Sequence, residues 1–310
     1  MSKYVIGLDG GGTGSKGIVA DLSGQILAEM KGGPINYVGA DKKLIDENIT
    51  SLIKKGLDGR SVKDCAAICI GTAGISREDV RSNLEAIIKK LGFTCPYTIT
   101  TDSHTAHAGA LSGRDGIVVI AGTGAICLGI KDKESIRVGG YGHIVDDEGS
   151  AYYIGRLILR AVVRAEDGRD PKTLLRDLVF EKLGIKQLPE LISWIYSPER
   201  IKKDIASLAT LVEDAAMKGD KTAFEIEEKA GKELAILCEP AIKFMGNNCT
   251  IAVSGSVLQR NERIRDYFKE EVEARHPWGF GTDAGICVID AQYEADYGAM
   301  LLALDLASQA

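Results

Sequence analysis

Two segments of this chain run from an unbroken apolar stretch directly into glycines, and that pairing restricts the fold more than any other feature. The first is Tyr4-Val5-Ile6-Gly7-Leu8-Asp9-Gly10-Gly11-Gly12-Thr13; the second is Ile117-Val118-Val119-Ile120-Ala121-Gly122-Thr123-Gly124. Each reads as a buried strand ending in a tight turn. Successive glycines remove every Cβ, so backbone N–H groups can close around an anion, and a terminal hydroxyl adds one more polar group. Two such turns point to two half-sites closing on one polyphosphate. A plain hairpin is the simpler alternative, but a hairpin needs one or two glycines and no buried Asp.

Neither loop carries a common phosphate signature. A P-loop requires Lys-Ser/Thr directly after its last glycine, and Gly14-Ser15-Lys16 has the wrong spacing. A dinucleotide fingerprint requires a helix after the glycines. Here Ser15–Asp21 is short and β-rich, Ser23-Gly24 makes a turn, and Gln25–Met30 resumes the extended pattern. The expectation is a three-strand meander whose first turn holds the anion.

Composition narrows the partners. With 310 residues, 45% of them hydrophobic, the chain is expected to fill two domain cores. A net charge of −6 without any Lys/Arg run argues against nucleic acid and leaves an anionic substrate to backbone donors and Mg2+. Met1-Ser2-Lys3 leads straight into a strand, so no signal peptide is expected, and no apolar stretch approaches the roughly 20 residues that span a bilayer. The seven cysteines (65, 69, 95, 127, 238, 249 and 287) show no Cys-x-x-Cys pair and read as small buried hydrophobes in a reducing cytoplasm.

After the meander, Leu44, Ile45, Ile49, Leu52 and Ile53 predict a helix over Lys42–Leu57. Strands follow at Cys65–Ile70 and Tyr97–Thr101, with helices at Arg77–Leu91 and Ser103–Leu111. The pattern then restarts: strand Gly116–Ala121, a glycine turn, and strands Ile126–Ile130 and Ile136–Val138. A helical insertion covers Ser150–Met245, followed by strand Thr250–Ser254, helix Asn261–Arg275 and a last helix over Ala291–Ala307. The domains expected are 1–114, 115–290 and a returning helix over 291–310.

The loop Asp9–Thr13, the strand end Thr100-Thr101-Asp102 and the loop Ala121–Gly124 together resemble the α/β fold of actin, heat-shock ATPases and sugar kinases. The segment Gly139-Gly140-Tyr141-Gly142-His143-Ile144-Val145-Asp146-Asp147-Glu148-Gly149-Ser150-Ala151-Tyr152 narrows this to the N-acetylglucosamine kinase family, within the group that contains the BadF/BadG/BcrA/BcrD ATPases. The similarity runs from Lys3 to about Leu302, and Ile68–Gly74 resembles the bacterial branch acting on N-acetylglucosamine and N-acetylmuramic acid. The resemblance implies two actin-like (ribonuclease H-like) lobes with a nucleotide cleft between them, ATP and Mg2+ as cofactors, a cytoplasmic location and a homodimer. The implied activity is phosphoryl transfer from ATP to the 6-hydroxyl of an amino or N-acetylated hexose.

Carried onto this sequence, the resemblance makes Asp102 the general base. Read from residues alone, Asp102 is equally an N-cap for the helix that follows. Asp9 is placed to orient Mg2+ through water. Gly10, Gly11, Gly12, Thr13, Thr123 and Gly124 would hold phosphate, and Gly255 and Ser256 would lie at the adenosine. Asn36, Thr72, Gly140, Tyr141, Asp147 and Asp102 are the implied sugar contacts, although Asn36 also suits a plain turn after Pro34. Lys16 reads as either a phosphate ligand or a solvated strand residue, and His104 and His107 as polar neighbours of Asp102. Relatives carry Trp where this chain has Tyr141 and Gly where it has Asp146; animal relatives carry Ser-Asn where it has Ala125-Ile126. Asp146 would repel an acidic sugar or attract an amine, which keeps glucosamine open as the substrate. Two other classes remain: an ATPase activating a reductase or dehydratase, disfavoured by the cysteine spacing, and a nucleotide switch, disfavoured by Asp102 and the His143–Ser150 loop.

Overall fold

The computed structural model describes residues 3–11, 14–37, 41–75, 77–246, 248–277 and 285–309; Gly12 and Thr13 of the first glycine loop lie outside the described residues. The chain divides into two compact units, Met1–Asp115 with Ala291–Ala310, and Gly116–Asp290.

In the first unit the strands are β1 (Tyr4–Gly10), β2 (Ser15–Asp21), β3 (Ile26–Gly32), β4 (Cys65–Thr72) and β5 (Tyr97–Thr100), and they form one sheet in the order β3-β2-β1-β4-β5. β1 to β3 are the expected antiparallel meander, while β4 and β5 join parallel to β1. β1 is central and covered on both faces, so its apolar run is continuous rather than alternating. Helix α1 (Lys42–Leu57) buries Ile45, Ile49, Leu52 and Ile53, and the Asp41 carboxylate caps it by accepting from Lys43 N and Leu44 N. Leu44, expected on that stripe, is half exposed at its edge. Helices α2 (Glu78–Lys90) and α3 (Asp102–Ala110) complete the continuous part of this unit.

The second unit repeats the plan. β6 (Gly116–Ala121), β7 (Ala125–Lys131) and β8 (Glu134–Gly139) form an antiparallel meander. The insertion then supplies α4 (Ala151–Glu166), α5 (Leu175–Leu183), α6 (Leu188–Ile195), α7 (Lys202–Ala206), α8 (Thr210–Met217) and α9 (Lys221–Met245). β9 (Cys249–Ser254), α10 (Ser256–Arg260), α11 (Glu262–Arg275) and β10 (Ile286–Asp290) follow, giving the sheet order β10-β9-β6-β7-β8. β6 thus occupies the position of β1, with β9 and β10 parallel to it. β10 carries no sequence signal that singles it out: it is an edge strand whose only buried residue is Ile286.

The final helix, α12 (Ala295–Ser308), starts four residues later than the sequence pattern suggests. The reason is local. Gln292 N and Tyr293 N donate to the Ala110 and Gly109 carbonyls at the end of α3, which holds these residues out of the helix. Beyond them α12 packs backbone to backbone against β1 and α3. A Cβ at Gly298 would overlap the Thr105 carbonyl oxygen, one at Gly109 the Glu294 carbonyl, and one at Gly7 the Met300 amide. Since these obstacles are backbone atoms, no rotamer change relieves them. Gly298→Ala is expected to lower stability by about 3 kcal/mol, read as a reduced urea midpoint with an unchanged slope.

Candidate active site

At the end of β1, Asp9 lies half-buried and its Oδ1 accepts from the Thr105 hydroxyl at 2.5 Å. Thr105 belongs to α3 and is fully buried, so the bond ties the first sheet to that helix. Gly10 has no room for a side chain, because a Cβ would stand 2.5 Å from Ile35 Cγ1; Gly11 next to it faces open space. The first glycine therefore serves packing and the second serves access. Gly11 also donates to the Gly14 carbonyl at 3.1 Å and accepts from Ile35 N at 3.3 Å.

A cavity of about 430 Å3 opens here, lined by Asp9, Gly10, Gly11, Ser15, Lys16, Glu294 and Asp296 among others. Burial pushes the Asp9 carboxyl up to about 7; the Thr105 hydrogen bond opposes this, and the charges of Asp102 and Asp296 add to it. Burial raises the Asp296 carboxyl as well. Lys16 is exposed and pairs with Glu294 on the cavity rim, and that hydrogen bond raises its ammonium pKa. The donors facing this space are hard oxygens, which suits Mg2+. Among the described residues no group of three His, Cys, Asp or Glu side chains is placed to hold a metal unaided. Asp9 would accordingly share such an ion with phosphate oxygens and water, the usual mode for Mg2+.

The capping question around Asp102 has an answer. Thr101 is the N-cap of α3, its hydroxyl accepting from His104 N, while Asp102 is the first helical residue. The Asp102 carboxylate is half-buried and Oδ1 accepts from Ser103 N at 2.9 Å. The N-cap is thus Thr101, and Asp102 adds one first-turn acceptor beside it. His104 points its Nδ1 at the Thr101 hydroxyl at 2.7 Å, and burial lowers its pKa toward the neutral form. His107 is buried within the same helix.

Thr72, at the end of β4, is fully buried and donates to the Ile35 carbonyl at 3.2 Å. Ile35 is thus held from both sides, by Gly11 and by Thr72, and Asn36 follows it half-buried. The hydroxyl of Thr72 orients the segment that carries Asn36.

In the second unit, Thr123 and Ser256 line a separate cavity of about 260 Å3 together with Ile154, Lys203 and Val257. Gly255 adopts φ 86° and its backbone lies against Ala121, where a Cβ would stand 2.5 Å from the carbonyl oxygen. Only glycine brings β9 and the β6 turn this close. The turn itself is closed by Gly122 N donating to Gly124 O, and is fastened to the start of α4 by Ala151 N donating to Gly122 O.

Gly140 is at φ 75° and its carbonyl accepts from Arg137 Nη2 at 2.7 Å. Tyr141 is 71% exposed, with the Arg137 guanidinium 5.3 Å from its ring centre. Its N–H donates to Asp146 Oδ2 at 2.9 Å, so Asp146 closes this loop. Asp147 is buried; its Oδ1 accepts from Ala125 N and its Oδ2 from Lys202 Nζ. His143 rests edge-on against Tyr152. Thr105 and Lys202 escape a reading of the sequence because their partners are 96 and 55 residues away.

A model of the BadF/BadG/BcrA/BcrD ATPase family matches residues 6–303. The chain belongs to this family. Among its relatives, the N-acetylmuramic acid/N-acetylglucosamine kinase of Clostridium acetobutylicum is 34% identical over 97% of this chain and 98% of its own. The N-acetyl-D-glucosamine kinase of Dictyostelium discoideum is 32% identical over 98% and 99%. In fold, the chain is similar to a solved structure of a ROK family glucokinase from Streptomyces griseus in complex with glucose and AMPPNP. That likeness has a TM-score of 0.59 at 18% identity and covers 99% of this chain and 100% of the other. These likenesses place both units in the actin-like sugar-kinase fold.

The raised Asp9 carboxyl has a measurable consequence without ligand. The folded protein holds this proton from the ordinary carboxylate range up to about 7, whereas the unfolded chain releases it. The stability Asp9 lends the fold is therefore full at acid pH and lost as pH rises toward about 7. Asp9→Asn is expected to remove that decline, so that urea midpoints of the ligand-free variant vary less between acid and neutral pH than those of the parent protein.

Proposed function

We propose that this chain is an ATP-dependent kinase that transfers the γ-phosphoryl group to the 6-hydroxyl of an amino or N-acetylated hexose, N-acetylglucosamine and N-acetylmuramic acid foremost. The observation that carries the reading is Asp102, the first residue of α3 rather than its N-cap, set three residues before the Thr105 that holds Asp9. One short helical turn thus joins a base to a phosphate-side carboxylate. The names of the relatives from Clostridium acetobutylicum and Dictyostelium discoideum support the substrate class.

In this reading Asp102 accepts the proton of the sugar hydroxyl as its oxygen bonds to the γ-phosphorus. The bond to the bridging oxygen breaks and its electron pair leaves with ADP. Charge spreads over the phosphoryl oxygens, so positioning and neutralisation do most of the work. Within the first unit Gly10 and Gly11 are assigned to phosphate, as are Gly12 and Thr13; within the second unit Thr123 and Gly124 are assigned to phosphate. Mg2+, held by Asp9, would neutralise charge on the phosphates. The cavity beside Thr123, Ser256 and Gly255 takes the adenosine. Asn36, in the segment that Thr72 holds through the Ile35 carbonyl, is the sugar contact assigned in the first unit, and Gly140 and Tyr141 are those assigned in the second.

A cytoplasmic homodimer is the proposed working form. Five of the seven cysteines are buried, in keeping with a reducing compartment, and no helix among the described residues is long and apolar enough to cross a membrane. The same burial disfavours the activator reading, which needs cysteines at a subunit surface to hold an iron–sulfur cluster.

Coupled ADP release with Mg-ATP and a panel of glucose, glucosamine, N-acetylglucosamine and N-acetylmuramic acid tests the proposal. Turnover is expected with the N-acetylated sugars, and Asp102→Asn is expected to slow it by about a hundred- to ten-thousand-fold. Turnover with glucosamine alone would reassign the substrate. ADP release indifferent to sugar and to Asp102 would overturn the kinase reading.

A further inference from the structure

Asp147 retains 4% of its surface and sits at φ 73°, in the left-handed region that non-glycine residues rarely adopt. Such a conformation persists where surrounding contacts impose it. Two contacts do so here. Oδ1 accepts from the Ala125 amide at 3.1 Å and Oδ2 from Lys202 Nζ at 2.5 Å. Ala125 is the residue directly after the Gly122-Thr123-Gly124 turn, so the carboxylate fixes that turn at its exit. The ion pair also fills the space beside it. A Cβ on Gly124 would stand 2.8 Å from Asp147 Oδ1 and 3.0 Å from Lys202 Nζ. Gly124 is therefore glycine because an ion pair occupies the place of its side chain.

Lys202 opens α7, and that short helix has a second part to play. Lys203 and Ala206, on the same helix, form part of the wall of the 260 Å3 cavity that Thr123 and Ser256 also line. Where α7 crosses α4, a Cβ on Gly155 would overlap the Ile205 carbonyl, so the two helices cannot slide freely. α4 in turn begins at Ala151, whose amide holds Gly122 O. The turn is thus gripped at its entry through α4 and at its exit through Asp147 and Lys202, and both grips run to α7.

We propose that Lys202 is a positioning residue for phosphoryl transfer. Its ammonium holds Asp147 against Ala125, and the pair sets the Gly122–Gly124 turn in the shape that receives nucleotide phosphate while α7 walls the adenosine cavity. The proposal rests on reading this turn as a phosphate site. It gives Asp147 a nucleotide-side part in addition to the sugar contact that the resemblance implies.

The test compares the full-length protein with Lys202→Met, Lys202→Arg and the double variant Lys202→Met/Asp147→Asn, using Mg-ADP as the probe in calorimetric titrations and the sugar panel for kinetics. Lys202→Met is expected to weaken Mg-ADP binding about tenfold and raise KM for ATP in step, with KM for the sugar within about twofold. Lys202→Arg is expected to recover most of the affinity. The double variant carries no uncompensated buried charge and is expected to match the parent in thermal midpoint, yet to bind Mg-ADP as weakly as the single variant. Parent-like Mg-ADP affinity in Lys202→Met, or its recovery in the double variant, would overturn the proposal. So would a raised sugar KM with unchanged Mg-ADP binding. If the parent protein turns over no sugar, the kinase reading fails, and the Mg-ADP titrations still decide the role of Lys202.

Discussion

The hydroxyl of Thr105 is the contact on which the candidate site depends. It donates to Asp9 on β1, and its other near neighbour is the carbonyl of Asp102, 2.9 Å away on its own helix. A hydroxyl has one proton, and the carboxylate is the stronger acceptor while ionised. When Asp9 is protonated the roles can reverse, Asp9 donating to Thr105 and Thr105 to the Asp102 carbonyl. The same side chain lies against Gly71 on β4, where a Cβ would intrude, and Gly298 of α12 passes over its backbone. Two strands and two helices therefore meet at a residue too small to be noticed in the sequence, and they fix Asp9 relative to Asp102.

How much of this was legible depended on whether the signal was local. α1 ran over the expected span because four buried isoleucines and leucines recur at helical spacing behind an Asp cap. The two meanders followed from apolar runs broken by glycines. β10 was missed because a half-exposed edge strand has neither a continuous nor a clean alternating pattern. The start of α12 was misplaced because its preceding residues are held by carbonyls of a helix far back in the chain. At the site, Asp9 and Asp102 stood out at strand ends. Thr105, Lys202 and the capping by Thr101 depended on partners that only the folded chain supplies.

The two units share a strand order but differ in what they carry between strands. Among the described residues, one α-helix separates β3 from β4 in the first and six separate β8 from β9 in the second, with one short 3-10 turn in each. That insertion supplies a wall of the cavity beside Thr123 and Ser256 and, through Lys202, the brace of the second glycine turn. The shared strand order gives the frame, and the insertion gives the second unit contacts that the first lacks among the described residues.

The path of α12 has a consequence for how the protein is made. Ala299, Met300 and Ala303 cover Val5, Ile18, Ala20, Ala67 and Cys69 on one face of the first sheet. A ribosome releases the second unit as one continuous stretch, complete in itself, before those covering residues emerge. The strands of the first unit, although synthesised before it, keep that apolar face bare until α12 has emerged. The first sheet can thus be closed only after the whole of the second unit has been synthesised.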